Sequence, residues 1–414
     1  MKIIIDIERA SVLATQAMEM YRPIIEKAEE KNFTRVLEAF RQAKISSYHF
    51  QASSGYGYND DGRDKLEELY AMIFGTEAAL VRQQIVSGTH AIFLALSGNL
   101  LPGDELLTLG LPYDTLQKAL GLKSCGPCTL KEQGVLLRSL DIDFNDPDPQ
   151  MIADALLPQT KILSIQRSRG YAWRNTLSVE QIAAIAQAVK AKKPDTIVFV
   201  DNCYGEMVED SEPSHHGIDL MAGSLIKNLG AGLAPGGGYV VGKADLIDRA
   251  ACRLIVPGAG REMGPSITNN RLYYQSLFLA PQIVKEAVLG AVYSSSFFSQ
   301  LGFEVSPTPQ EMRHDIIQAI KIGNPEKLIA YCQGIQRYSP IDSFAVPEPW
   351  PMPGYEHDVI MAAGAFVQGC TIELSADAPI REPYILYLQG GLTHHHLKYA
   401  LLRTVQDMQQ EGLL

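Results

Sequence analysis

The chain has 414 residues, of which 46% are hydrophobic and 20% are charged, a composition typical of a globular protein and not of a disordered or fibrous one. This length predicts two domains rather than a single core. The formal net charge of −11, without any run rich in Lys or Arg, argues against binding to nucleic acid or to an anionic membrane.

The start of the chain, its longest apolar run and its cysteines predict a cytoplasmic location. In the start, MKIIIDIERA, the apolar stretch of three isoleucines is too short for the core of a signal peptide. The run HAIFLALSGNLL is interrupted by Gly and Asn and is shorter than a bilayer span. The six cysteines are scattered, which is typical of a reducing compartment and not of a disulfide framework.

The first sixty residues are predicted to form two helical stretches and a polar loop, SSGYGYNDDGRD. Strand-like and helix-like patterns then alternate, which predicts an α/β sheet with helices on both faces. In chain order these are a helix at 64–75, a strand at 78–86, a helix at 87–100, the strand DELLTL, the short helix DTLQKAL, a strand at 160–166, a helix at 178–193, a strand at 195–202 and the short strand GGYVVG.

The pattern changes after about residue 285. The helix-like PEKLIAYCQGIQRYS mixes with the strand-like FAVPEP, CTIELSAD and PYILYLQGG, and THHHLKYALLRTVQDMQQ is predicted to be an amphipathic helix. We therefore divide the chain into an N-terminal helical segment with its loop (1–63), a large α/β domain with a mostly parallel sheet (64–285) and a smaller C-terminal α+β domain (286–414).

Polar residues follow several predicted strands, at the sheet edge where ligands of open α/β proteins bind. They offer small residues at the start of a helix, where backbone N–H groups can approach an anion, together with a tyrosine ring, a carboxylate and a lysine among apolar residues. The residues are Ser87, Gly88, Thr89, Tyr113, Asp201, Ser224 and Lys227.

This set meets the requirements of pyridoxal 5'-phosphate (PLP). PLP needs a lysine for its Schiff base, a carboxylate opposite its pyridinium nitrogen and a phosphate site. The carboxylate keeps the ring nitrogen protonated, so that the ring can accept electrons from a carbanion. The apolar neighbours of Lys227 favour the uncharged, nucleophilic amine.

The same residues resemble the fold-type-I PLP-dependent enzymes of the cystathionine/methionine lyase group. Within that group the chain is most similar to the branch of aluminium-resistance or methionine-gamma-lyase-like proteins. The resemblance covers nearly the whole chain and implies a PLP-dependent transferase-like fold, with PLP bound by residues 64–285. Its strongest segments are SSGYGYNDDGRDKLEELYAMIFGTEAALVRQQIVSGTHAI, VDNCYGEMVE, GSLIKNLGAGLAPGGGYVVG and REPYILYLQGGLTHHHLK.

The resemblance implies a role for each of these residues. Lys227 would form the Schiff base and then move protons at the substrate carbons, Asp201 would pair with the pyridinium nitrogen, and Tyr113 would stack on the ring. The phosphate contacts would come from Ser87, Gly88, Thr89 and Ser224.

Two further roles follow from the resemblance. Tyr56, in GYGYND, would reach the phosphate of a neighbouring subunit, so the protein would be a homo-oligomer, at least a dimer and by analogy a tetramer. Arg381 would bind the carboxylate of the substrate, since guanidinium and carboxylate pair in a bidentate way.

The chain departs from the group's pattern in three places. Ile226 stands where a second hydroxyl residue usually precedes the lysine, and Tyr58 stands where the lyases carry an arginine. The asparagine–proline motif beside the phenolic oxygen of the cofactor is replaced by QRSRGYAWRN. The arginines considered as substitutes are Arg63 or Arg82 for the Tyr58 position, and Arg167 or Arg169 for the replaced motif.

Two other motifs point to different chemistry. GAGLAPGGG suggests a nucleotide loop, but its glycines lead straight into a strand-like segment instead of opening a helix. CGPC (Cys125 to Cys128) matches a thioredoxin-type redox pair, which should open a long helix. Gly134 interrupts the segment that follows, which favours a loop with two nearby thiols. No metal site is predicted, because the other cysteines are isolated.

The sequence thus predicts a PLP-dependent lyase that eliminates a thiol from a sulfur-containing amino acid, as a cystathionine beta-lyase or a methionine gamma-lyase does. The substrate amino acid and the choice between β- and γ-elimination stay open. The alternatives are transsulfuration or transamination with the same cofactor, a thiol–disulfide protein that uses CGPC, and a PLP-binding protein without turnover.

Overall fold

The computed structural model describes residues 6–123 and 126–414. The α-helices in this part of the chain are α1 (Ile7–Gln42), α2 (Asp61–Phe74), α3 (Gly88–Asn99), α4 (Asp114–Leu120), α5 (Pro149–Asp154), α6 (Val179–Lys192), α7 (Ala244–Leu254), α8 (Arg271–Gln300), α9 (Pro325–Arg337) and α10 (His394–Gln410). The strands are β1 (Ala78–Arg82), β2 (Glu105–Leu109), β3 (Leu136–Leu140), β4 (Thr160–Gln166), β5 (Ile197–Asp201), β6 (Leu220–Ser224), β7 (Gly238–Gly242), β8 (Glu304–Ser306), β9 (Ile317–Lys321), β10 (Val359–Ala362), β11 (Ser375–Pro379) and β12 (Ile385–Gln389).

A seven-stranded sheet with the order β1-β7-β6-β5-β4-β2-β3 forms the centre of the molecule. Five neighbouring strands, β6, β5, β4, β2 and β3, pair in parallel, and β7 runs antiparallel to both β6 and β1. Apolar residues of α2, α6 and α8 pack on one face of the sheet, and those of α3 and α7 on the other. The predicted α/β fold, with a mostly parallel sheet and helices on both faces, is confirmed.

The second sheet is antiparallel, with five strands in the order β10-β11-β12-β9-β8. It packs against α9, α10, the N-terminal part of α1 and the C-terminal part of α8. The segment FAVPEP forms no strand, which corrects the strand-like interpretation. Pro347 and Pro349 cannot donate to a strand ladder, and pairing in this region is limited to a bridge between Trp350 and Val359.

One long helix, α1, occupies most of the N-terminal segment, where the sequence predicted two stretches. Asp6 caps it by accepting a hydrogen bond from the backbone N–H of Arg9 at 2.9 Å. The helix continues through Pro23 and packs along α8, and this tertiary contact outweighs the helix-breaking tendency of proline.

The domain boundaries drawn from the sequence stay a prediction. The division at 63/64 lies within α2 and the division at 285/286 lies within α8. The first half of α8 contributes to the core of the large sheet, and the half beginning at Leu289 contributes to the core of the small sheet. This single helix therefore joins the two cores.

Among the described residues, α8 is the one helix long and apolar enough to cross a membrane by length and composition alone. Two thirds of its most apolar window (67%) is buried inside the protein. Its apolar side chains are thus accounted for by the two cores that it joins.

Candidate active site

A cavity of about 230 Å³ opens at the carboxyl ends of β4, β5 and β6. This is the edge at which ligands of open α/β sheets bind. The lining residues include seven that were singled out from the sequence, although they come from four separate segments of the chain. These seven are Ser87, Gly88, Thr89, Tyr113, Asp201, Ser224 and Lys227.

The start of α3 provides a potential anion site in this cavity. Ser87 is the N-cap residue, and its hydroxyl accepts a hydrogen bond from the backbone N–H of His90 at 3.1 Å. Gly88 follows, and a Cβ atom there would lie 3.1 Å from the Cβ of Ser224 and 3.2 Å from the Sγ of Cys203. The first N–H groups of a helix and the missing side chain at Gly88 together suit a phosphate group.

Tyr113 precedes α4 and is held from two sides. Its backbone N–H donates to the Oε1 of Gln166 at 3.1 Å, and its hydroxyl lies 2.8 Å from the Oγ1 of Thr89. Burial raises the pKa of Tyr113 well above its usual value, so the phenol stays protonated. The ring is therefore fixed beside the anion site.

Asp201 is the last residue of β5 and is 5% exposed. Its Oδ1 accepts a hydrogen bond from the backbone N–H of Cys203 at 3.1 Å. Burial raises the pKa of the Asp201 carboxyl, while the bond from Cys203 and the charges of Lys227 and Arg174 act in the opposite direction. A carboxylate in this position would be stabilised by a cationic partner inside the cavity.

Lys227 lies three residues beyond the end of β6, and its Nζ is 3.4 Å from the centroid of the Tyr204 ring. Within residues 6–123 and 126–414, no carboxylate comes within ion-pair distance of this Nζ. The amine therefore points at the cavity without being committed to an acidic side chain.

Ile226 also lines the cavity, at the position where a second hydroxyl was expected. Its backbone N–H donates to the Oγ of Ser224 at 3.3 Å, and its carbonyl accepts from the N–H of Thr371 at 3.2 Å. Because the Ser224 oxygen already accepts this bond, its own O–H is available as a donor towards the cavity.

The two arginines proposed to replace the Tyr58 position are committed elsewhere. Arg63 donates from Nη1 to the carbonyls of Gly57 and Gly264, at 2.7 and 3.0 Å. Arg82 forms a buried ion pair with Glu67 at 2.7 Å. Neither residue lines the cavity, so the structure does not support either as a substitute for the missing arginine.

The arginines of QRSRGYAWRN also lie outside the cavity. Arg167 donates to the Oδ1 of Asn202 at 2.7 Å and pairs with Glu209 at 2.6 Å. Arg169 donates to the carbonyl of Ser306 at 2.8 Å. The same segment instead brings a glutamine and a serine, Gln166 and Ser168, to the cavity wall.

Three tyrosines of the cavity wall were missed by the sequence analysis: Tyr171, Tyr204 and Tyr355. The hydroxyl of Tyr171 donates to the Oδ2 of Asp377 at 2.9 Å, which links the wall to the small sheet. Tyr204 follows Asp201 by three residues, so the rule that led to Asp201 could have found it. Tyr355 belongs to a loop between α9 and β10 and carries no sequence signal.

Two predicted site residues do not line the cavity. Tyr56 is 68% exposed, with its ring centroid 5.7 Å from that of Tyr58. Arg381 is half-buried, and its Nη2 donates to the carbonyl of Tyr171, a residue of the cavity wall, at 3.3 Å. The roles predicted for Tyr56 at a neighbouring subunit and for Arg381 at the substrate carboxylate stay predictions.

The two alternative motifs gain no support from their surroundings. Cys125 lies outside the described residues. Cys128 is followed by turns and then by β3, not by a long helix, so a thioredoxin-type arrangement is absent from the described part of this loop. The glycines of GAGLAPGGG lead into β7, and α7 begins only after that strand, which excludes a dinucleotide loop there.

Known proteins from several bacteria are similar to this chain. The Bacillus subtilis (strain 168) protein YnbB is 49% identical over 393 residues, which are 94% of this chain and 93% of that protein. A crystal structure from Listeria monocytogenes, named as a candidate cystathionine beta-lyase involved in aluminium resistance, is 46% identical with a TM-score of 0.93. The alignment covers 96% of this chain and 99% of the Listeria monocytogenes chain.

A third similar protein is the PLP-dependent protein YhfS of Escherichia coli, with 16% identity and a TM-score of 0.63, over 92% of this chain and 97% of that one. This likeness shows the fold alone, and it confirms the predicted PLP-dependent transferase-like fold. Residues 7–409 match the family described as methionine gamma-lyase. Because that match spans nearly the whole chain, the chain belongs to the methionine gamma-lyase family.

Proposed function

We propose that the protein is a PLP-dependent carbon–sulfur lyase that acts on a sulfur-containing amino acid. The observation that carries the proposal is the meeting of Lys227, Asp201 and the N-terminus of α3 around one cavity. Family membership supports it, as does the name of the Listeria monocytogenes protein, a candidate cystathionine beta-lyase.

The residues of the cavity fit PLP. Asp201 is a buried carboxylate with a single N–H partner, which suits the pyridinium nitrogen. Lys227 has no ion-pair partner among the described residues and suits the aldehyde. The phosphate would be held at the start of α3 by Ser87, Gly88 and Thr89, with the Ser224 hydroxyl beside them.

PLP, when bound, supplies an electron sink for a carbanion at the α-carbon of the substrate. Lys227 would take the α-proton on its Nζ, and Asp201 would hold the positive charge of the pyridinium. In a β-elimination the C–S bond then breaks with its electron pair on sulfur, which leaves as a thiol after protonation. The unsaturated amino acid that remains hydrolyses to a keto acid and ammonia.

The substrate would be held at its carboxylate by Arg381, whose Nη2 donates to the backbone carbonyl of Tyr171, a residue of the cavity wall. A guanidinium in that position would pair with the carboxylate in a bidentate way. Transsulfuration or transamination would use the same proton transfer at the α-carbon. The products of the reaction therefore decide between these outcomes.

We also propose a homo-oligomer in which Tyr56 completes the phosphate site of a neighbouring subunit. The exposure of Tyr56 and Tyr58 outside their own cavity supports this arrangement. A dimer is the smallest assembly that provides it.

Borohydride reduction tests the assignment of Lys227. The purified protein should be yellow, and reduction should fix the cofactor on a peptide that contains Lys227. The variant Lys227→Ala should form no reducible bond, whereas Lys192→Ala, at an exposed lysine paired with Asp154, should behave as the wild type. A reducible bond in Lys227→Ala contradicts the proposal.

Product analysis tests the lyase activity. The holoprotein is incubated with cystathionine, methionine and cysteine, and keto acid and thiol are measured together. Equal amounts of both indicate elimination, a keto acid without thiol indicates transamination, and no product from any substrate favours a PLP-binding protein without turnover.

A further inference from the structure

Tyr204 and Lys227 are in direct contact inside the cavity. The Nζ of Lys227 lies over the face of the Tyr204 ring, 3.4 Å from its centroid, and both residues line the cavity. A cation over an aromatic face within about 6 Å is attracted by the ring quadrupole, most strongly where water is excluded. The ring face therefore provides a favourable contact for the ammonium group of this lysine.

The backbone of Tyr204 is in the left-handed region, with φ of 71°, which is unfavourable for an aromatic residue. Its surroundings hold it there. The carbonyl of Tyr204 accepts a hydrogen bond from the N–H of Ile316 at 3.3 Å, and the next residue, Gly205, donates to the carbonyl of Asn202 at 2.9 Å. Such conformations persist mainly at functional sites, where the surrounding structure determines them.

The acidic groups on which the charge of Lys227 acts each accept a hydrogen bond from another residue, and among the described residues none lies within ion-pair distance of its Nζ. Asp201 accepts from the backbone of Cys203, Asp377 accepts from the hydroxyl of Tyr171, and Glu206 accepts from the hydroxyl of Tyr239. Among the described residues the ring of Tyr204 is therefore the direct partner of the ammonium group. A ring face attracts the cation but cannot accept its proton as a carboxylate can.

We infer that the Tyr204 ring is the docking place of the Lys227 ammonium group whenever this lysine is not bonded to the cofactor. Tyr204 is thus a positioning residue that acts through Lys227, and the inference rests on the proposed use of PLP. The contact stabilises the free lysine relative to the lysine–cofactor bond. It would make it easier for the amino group of the substrate to take the place of the lysine.

The direction of this effect gives a sharp test. Removal of the ring should strengthen the covalent capture of PLP, whereas most substitutions in a binding site weaken binding. The readout is the ratio of two dissociation constants measured on apoprotein. The numerator is for deoxypyridoxine phosphate, which has a methyl group in place of the aldehyde, and the denominator is for PLP itself.

In Tyr204→Leu we expect this ratio to rise about tenfold, the size of a partly desolvated cation–π contact. Tyr204→Phe keeps the ring face and should stay within about twofold of the wild type. Tyr204→Asn removes the ring with a residue that tolerates the left-handed region, so it provides a second ringless variant if the Leu protein folds poorly.

An unchanged or lower ratio in the ringless variants overturns the inference, and so does a Phe variant that behaves like Leu. Equal losses of affinity for both ligands would show that the ring only packs against the cofactor, which also overturns it. Failure of the wild-type apoprotein to form any reducible bond with PLP would instead refute the proposed function.

Discussion

The hydroxyl of Tyr113 lies 2.8 Å from the Oγ1 of Thr89, and this bond joins the ring at the start of α4 to the anion site at the start of α3. The two residues are 24 positions apart. Thr89 lies in the first turn of α3, which follows β1, and Tyr113 lies just before α4, which follows β2. The ring that is predicted to stack on the cofactor is thereby coupled to the loop that would hold the phosphate.

We expect Thr89→Ala and Tyr113→Phe each to weaken PLP binding by about 1 kcal/mol, the usual contribution of one hydrogen bond. Because both changes remove the same bond, the double variant should lose less than the sum of the two single losses. Dissociation constants measured by absorbance titration of the four apoproteins check this. Additive losses would mean that the two residues act independently.

The sequence located the polar residues that end strands. Asp201 and Ser224 are the last residues of β5 and β6, and neighbouring parallel strands bring their carboxyl ends to one edge of a sheet. Gly88 followed from the same rule, because α3 begins shortly after β1. These residues could be placed because strand ends and helix starts are recognised from local patterns within one sequence.

The missed wall residues depend on long-range contacts. Tyr204 faces Lys227 because its backbone adopts a positive φ that is supported by Ile316, a residue more than a hundred positions away. Tyr355 reaches the cavity from a loop that precedes the small sheet. Similarly, α1 continues through Pro23 because it packs on α8. The spacing of Tyr204 from the end of β5 indicates the cavity wall, but propensity and spacing carry neither its positive φ nor the long-range contacts of Tyr355 and α1.

Gly88 should be essential for cofactor binding. A Cβ atom at this position, the first residue of α3, would crowd the Cβ of Ser224 and the Sγ of Cys203, at 3.1 and 3.2 Å. We expect Gly88→Ala to weaken PLP binding by about tenfold or more, equivalent to about 1.4 kcal/mol. Fluorescence titration of the apoprotein with PLP measures this loss.

Gly126→Ala is the matched control for this substitution. A Cβ atom at Gly126 would meet no heavy atom of the described residues within 4 Å, and its φ is not positive. Its PLP affinity should equal that of the wild type. If Gly88→Ala also binds PLP as the wild type does, the start of α3 is not the phosphate site.

Glu206 should give the apoprotein a dependence of stability on pH. Its carboxyl is fully buried, where it accepts a hydrogen bond from the Tyr239 hydroxyl at 2.9 Å, and burial raises its pKa to about 8. The folded protein therefore holds a proton that the unfolded chain releases near pH 4.3. The contribution of Glu206 is complete below that pH and is lost as the pH rises towards 8.

Glu206→Gln should remove this dependence, because the amide has the shape of the protonated acid and does not ionise. Between pH 5.5 and 7.5 the wild type should lose up to about 1.4 kcal/mol of unfolding free energy per pH unit relative to the variant. Urea unfolding of both apoproteins across this range checks the prediction. Parallel curves would show that Glu206 is ionised in the folded state.

Arg381 should act on the substrate and not on the cofactor. Its Nη2 donates to the carbonyl of Tyr171 at 3.3 Å, a long bond that a substrate carboxylate can replace with charge-assisted ones. We expect Arg381→Ala to raise KM for the amino acid about 10- to 100-fold, since bonds to charged groups contribute about 1.5–3 kcal/mol. The visible spectrum of the holoprotein should not change.

Arg381→Lys separates charge from geometry, because a lysine keeps the charge and loses the planar fork. Its KM should lie between those of the wild type and Arg381→Ala. Arg403→Ala serves as the control, at an arginine of α10 whose guanidinium lies 5.6 Å from the ring centroid of Tyr399. A KM that is unchanged in Arg381→Ala would move the carboxylate site to another part of the cavity wall, where the hydroxyl of Tyr355 can donate.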